Sequence, residues 1–186
     1  MELQSTASVQ EFFHEVISEA IRAQGLSATE PTEFYLVNLL SDFTTTPVDD
    51  EPLALKLATA TFASSEDRVK HLREIADKSL YVSGFFADSL RRRSIDPNYY
   101  ISMGGSAYAQ LATHYRKHKV YGGVYDELGQ KFRSFVDVLG EISERTSTSH
   151  LTVVQLYERW LRTGSEWMER RLRVHGLLPR TGEGQS

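Results

Sequence analysis

The sequence predicts an all-α fold: a single helical bundle of about seven helices, with the second, fourth and fifth helices central. Three observations predict it. The five prolines (Pro31, Pro47, Pro52, Pro97 and Pro179) leave residues 53–96 and 98–178 free of the one side chain that breaks a helix interior. Apolar residues recur at three- and four-residue steps through most of the chain. No alternating strand pattern bounded by turns, and no internal repeat, interrupts them.

The first helix is expected over about Ser8–Gln24. There Val9, Phe12, Phe13, Val16, Ile17, Ala20 and Ile21 share one face, Ser8 with Glu11 reads as a capping box, and Gly25 is a natural stop. The second takes Pro31 into its first turn and runs to Phe43, apolar around most of its girth and therefore central. The run Thr44–Pro52 reads as a loop ending in an Asp50 cap, before a short third helix over about Glu51–Ala63. Ser64 and Ser65 offer caps for a long fourth helix reaching about Arg93. Asp96 followed by Pro97 opens the fifth, which is expected to end near Gly122–Gly123. The sixth covers about Val124–Arg145. The seventh is capped within Ser147–His150, carries Leu151, Val154, Leu156, Tyr157, Leu161 and Leu172, and stops at Gly176.

At 186 residues, the chain suits one all-α domain over residues 1–178, with residues 179–186 as a mobile tail. Apolar residues make up 40% and charged residues 25%, which excludes wholesale disorder. The lack of cysteine excludes disulfide staples, thiolate metal sites and a thiol nucleophile. The first residues have neither a basic start nor an apolar stretch, so a cytoplasmic protein is expected. Residues 97–115 carry no Asp, Glu, Lys or Arg, which is about the length of a membrane span. Pro97, Asn98, Gln110 and His114 within it favour a buried helix, and no membrane association is expected.

Charge is distributed unevenly. Residues 1–52 hold ten acids and one base, Arg22, whereas residues 53–186 hold 20 bases and 15 acids. Such a chain can dock head to tail on a copy of itself, or pair its acidic helices with its own basic ones. The net charge of −4 argues against nucleic acid as a partner.

The unusual residues lie on the fourth and fifth helices. Gly104 and Gly105 are adjacent inside a helix, at a cost of about 1 kcal/mol each against alanine. Either a neighbouring backbone approaches closely there, with Gly84 as a matching notch, or a ligand fills the space. Seven of the nine tyrosines fall between Tyr81 and Tyr125, and buried phenols seek partners. Asp88, Ser83, Ser102, Ser106 and His114 are the expected ones. A pocket between the fourth and fifth helices would be lined by Tyr81, Asp88, Tyr100, Ser106 and Tyr108, with His114 as proton carrier. Asp88 has a second reading, a surface pair with Arg92 one turn on.

No metal or other cofactor is expected. His114 and His118 are one turn apart on the expected fifth helix, but a site needs further ligands from other helices. A di-iron bundle needs two Glu-x-x-His motifs, and only Glu11–His14 fits. The Gly-x-Ser-x-Gly, phosphate-loop and dinucleotide glycine patterns are all missing. Arg91–Arg93, Arg116–Lys119 and Arg170–Arg173 are basic clusters that read as solvated helix ends or as seats for an anionic partner. The expected function is a non-catalytic interaction or regulatory module, acting on a protein partner or on itself. The alternative is a small-molecule-binding or catalytic pocket between the fourth and fifth helices.

Overall fold

A computed structural model describes residues 2–87, 90 and 94–148, together with 157, 158, 160, 161, 169, 170, 172 and 173; at 2–8, 147 and 148 it describes backbone alone. Among these residues there are seven helices and no strand. They are α1 (Glu2–Ala23), α2 (Glu30–Thr45), α3 (Leu53–Phe62), α4 (Ser65–Phe85), α5 (Pro97–His114), α6 (Lys119–Gln130) and α7 (Phe132–Thr148). The all-α prediction holds. Asp88, Arg91–Arg93, most of the expected seventh helix and the tail at 179–186 lie outside the described residues.

Contacts divide the chain into two compact units, residues 1–140 and 141–186. In the first unit α4 and α5 are central: α4 packs on α5, α3 and α2, and α5 packs on α6. The helix α2 lies on α1, α6 and α4, with Leu36, Val37, Leu39 and Leu40 buried. In the second unit Glu141 pairs with Arg145 and Arg170, and Arg173 with Glu169.

Several expected ends move, for identifiable reasons. The helix α1 starts at Glu2, so Ser8 lies inside it, whereas Gly25 closes it with φ +62° as expected. Ser64 caps α4 by accepting from Asp67 N, and Asp96 caps α5 by accepting from Asn98 N. Asp50 does not cap α3; its N-cap is Pro52, without a side-chain hydrogen bond. The fourth helix ends at Phe85 rather than Arg93, with Phe86 leaving helical geometry. The largest difference is at the fifth, which ends at His114 instead of running to Gly122. The chain turns over Tyr115–His118, and Gly122 belongs to the first turn of α6. A Cβ on Gly122 would lie 2.6 Å from the Tyr115 carbonyl oxygen, so this glycine permits a tight re-entry and does not act as a stop. The expected sixth helix is broken near Lys131, after which Phe132 turns inward.

The glycine notches are filled by protein. A Cβ on Gly104 would meet the Phe132 ring, with Cε2 at 2.6 Å, and Ser79 Cβ at 2.7 Å. Gly84 is not its match. A Cβ there would lie 2.6 Å from Leu139 Cβ and 3.1 Å from the Val136 carbonyl, so Gly84 admits α7. Ser79, wholly buried beside Gly104, has a hydroxyl with no hydrogen-bond partner among the described residues.

Two polar devices fasten the periphery. The nearly buried Lys78 donates to the carbonyls of Asp49 and Glu51, both at 2.7 Å, and to Asp49 Oδ1 at 2.9 Å. Lys56 pairs with Asp49 Oδ2 at 3.0 Å, so two lysines pin the loop before α3. Partial burial alone would raise the Asp49 carboxyl, but hydrogen bonds from Lys78 and Lys56 hold it at about 2. At the start of α2, Glu127 of α6 takes over the role of a cap. Its Oε2 accepts from Thr29 N at 3.1 Å and Thr29 Oγ1 at 2.8 Å, while Oε1 pairs with Lys131 at 2.9 Å. Burial alone would raise Glu127, yet hydrogen bonds from Thr32, Lys131 and Thr29 hold it at about 2. The positive end of the α2 dipole favours the same ionised form.

Candidate functional site

A cluster of polar groups inside the first unit is centred on Asp77, which the sequence did not single out. Three helices supply it directly. From α2, the Tyr35 hydroxyl donates to Asp77 Oδ1 at 2.6 Å; from α5, the Tyr108 hydroxyl donates to the same oxygen at 2.7 Å. On α4 itself, Arg73 Nε stands 3.5 Å from Oδ2, and its guanidinium lies over the Tyr35 ring at 5.7 Å. Tyr125 of α6 closes the cluster, its ring 5.8 Å from that of Tyr35 and 6.0 Å from that of Tyr108.

The spacing explains why the residues meet. Arg73 and Asp77 are four apart on one helix face, beside the buried stripe Leu72, Ile75, Ala76 and Leu80. Burial pushes the Asp77 carboxyl above the usual carboxylate range, although two phenol donors and Arg73 pull it back. Burial, followed by the neighbouring Asp77 charge, pushes both Tyr35 and Tyr108 well above the ordinary phenol range. Both protons therefore stay on the phenols, with one carboxylate oxygen holding the two donors. Asp77 Oδ1 thus holds two phenols, while Oδ2 faces the Arg73 guanidinium at 3.5 Å on a side chain that keeps 19% exposure.

The candidates taken from the sequence are dispersed. Tyr108 sits in the Asp77 cluster, wholly buried, and among the described residues its hydroxyl donates to Asp77 and not to Ser83, Ser102, Ser106 or His114. Tyr81 is buried in a separate aromatic group, stacked on Phe43 at 4.2 Å and near Phe85 at 5.4 Å. Tyr100 is half-buried with its ring 5.6 Å from that of Tyr99, and Ser106 is exposed. His114 is exposed at the end of α5, and Asp88 lies outside the described residues. His118 does not share a helix with His114: it caps α6, its Nδ1 accepting from Tyr121 N at 3.4 Å. Among the described residues no three His, Asp or Glu side chains are grouped as a metal ion would need.

A groove of about 360 Å³ runs between α4 and α5 at one end of the first unit. Ser65, Arg68, Val69 and Leu72 line one side, and Gln110, Thr113 and His114 the other. Arg68 donates to Gln110 Oε1 across it at 3.3 Å. Of the five candidates among the described residues, His114 alone lines this groove.

No protein-family model, curated protein or solved structure matches the chain. A fold alone does not assign a function, which resides in the site and the surface. No helix among the described residues is long and apolar enough to cross a membrane.

Proposed function

We propose that the chain is a non-catalytic interaction module that works through a protein partner. The outward face of α3 carries this reading. Leu55, Ala58, Thr59 and Phe62 are exposed on successive turns, Phe62 to 91% and Leu55 to 55%. The sole charged side chain of α3, Lys56, is turned inward onto Asp49. The hydroxyls of Thr59 and Thr61 donate to the helix's own carbonyls, so this face makes no polar demand on what covers it. An exposed apolar helix face of this kind is a surface for another protein. The filled glycine notches support the same reading, because they give the space of a buried pocket to the protein itself. The reading includes a cytoplasmic setting, which fractionation of the source cells tests.

The module itself is tested by isolating the full chain at its native level and weighing it by native mass spectrometry. The expected result is a stoichiometric protein complex that the L55D/F62D variant, folded by circular dichroism, no longer forms. A chain found alone, or a complex that L55D/F62D retains, overturns the reading.

One observation favours a second reading. The groove between α4 and α5 reaches the size of small-molecule sites, and His114 stands at its edge. A purified chain carrying a bound organic molecule, lost in a variant with Leu72 enlarged to tryptophan, would establish it.

A further inference from the structure

The end of the first unit that carries the groove is also its cationic end. Arg68 lies in the groove wall, and Arg116, Lys117 and Lys119 follow within five residues of His114. All four are exposed, and among the described residues Arg116, Lys117 and Lys119 have no carboxylate partner. Glu66 and Asp67 are the acids beside them on α4, and Asp67 is engaged by the Ser64 hydroxyl. The floor of the groove is apolar, made by Val69 and Leu72. Its occupant should therefore present an apolar side chain flanked by carboxylates.

Such a surface lies on α1. Glu11 and Glu15 are exposed one turn apart, with Phe12 beside them at 47% exposure. Neither glutamate has an ion-pair partner among the described residues. The ten acids of residues 1–52 face a single base, so the surrounding field has the same sign.

We propose that the groove between α4 and α5 receives α1 of a second copy of this chain. Phe12 is seated against Val69 and Leu72, while Glu11 and Glu15 meet Arg116 and Lys117. The two surfaces are different patches of one molecule, so the contact is heterologous and joins copies head to tail. One helix face against one groove is a small interface, which places the association at the weak, salt-sensitive end. It engages neither Leu55 nor Phe62, so it stands apart from the α3 surface.

Sedimentation velocity of the full chain over a concentration series tests this. Runs at about 20 mM and about 300 mM salt shorten the screening length from roughly 20 Å to roughly 6 Å. The expected result is concentration-dependent growth at low salt that weakens at least about tenfold at high salt. Each of E11K/E15K and R116E/K117E abolishes self-association, and an equal mixture of the two restores it, because each supplies the surface the other has reversed. F12A weakens association without changing its dependence on salt. A chain monomeric throughout, association indifferent to salt, or a mixture that fails while both variants are folded overturns the proposal. L55D/F62D associates like the parent, so failure here is distinguishable from failure of the α3 reading.

Discussion

Replacing Glu127 by glutamine tests how α2 is held at its start. In the folded chain this carboxyl sits at about 2 against an ordinary 4.5, and its side chain is 11% exposed. A depressed value means that the ionised form is preferred in the folded state. Its contribution is therefore present above the unfolded value and is lost as pH falls toward about 2. At about 1.4 kcal/mol per pH unit, the shift corresponds to roughly 3 kcal/mol at neutral pH. Glutamine keeps the shape but turns an N–H₂ group toward either Thr29 or Lys131, both of them donors. Because the network is only partly buried, solvent screens part of that, and E127Q should unfold with a loss of about 1–3 kcal/mol at pH 7. Urea titrations followed by circular dichroism at stepped pH measure the gap between parent and variant. The gap should fall to about half near pH 3, where the carboxyl is protonated in the unfolded chain but still largely ionised in the folded one. A gap that stays constant with pH, or one below about 1 kcal/mol at pH 7, would refute the account.

Three further outcomes follow from the interior. Gly104→Leu forces side-chain atoms into the Phe132 ring and Ser79, so stability should drop by about 1–3 kcal/mol or more; an unchanged melting temperature contradicts the close packing. Tyr108→Phe removes one of two phenol donors from Asp77 and should lose about 1–3 kcal/mol in a urea titration. Because the Asp77 carboxyl is already raised in the folded state, its ionisation counts against folding as pH rises through the carboxylate range; this variant should deepen that slope, and a flat difference between parent and variant refutes it. Ser79→Ala deletes a buried hydroxyl without a partner among the described residues and should leave stability equal or up to about 1 kcal/mol higher; a loss beyond about 1 kcal/mol shows that the hydroxyl is bonded after all.

Helix starts were more legible in the sequence than helix ends. Pro31, Ser64 and Asp96–Pro97 act through local geometry within a few residues, and the structure places starts at all three. Gly122 was misleading because a glycine that ends a helix and one that lets a turn sit on a carbonyl look alike without the Tyr115 oxygen in view. The Gly104 notch was legible as a site of close approach by either a backbone or a ligand, but its occupant, the Phe132 ring, comes from 28 residues further along and carries no local mark. At the Asp77 cluster, Tyr108 could be identified as a buried phenol in need of a partner. Asp77 could not, because an acid four residues after an arginine is the ordinary pattern of a surface pair. The missed signal was that this pair borders the apolar stripe of α4, with Tyr81 one turn further on.

The bond between Thr29 and Glu127 spans 98 positions of the chain. While the polypeptide emerges from the ribosome, the beginning of α2 stays unfinished until α6 has left the exit tunnel, and Tyr35 must wait almost as long for Tyr108. Although α1 and α2 can pack on each other as soon as both have emerged, most of the chain is therefore synthesised before the start of α2 acquires its cap. A truncation that stops short of residue 127 should leave the start of α2 available to chaperones.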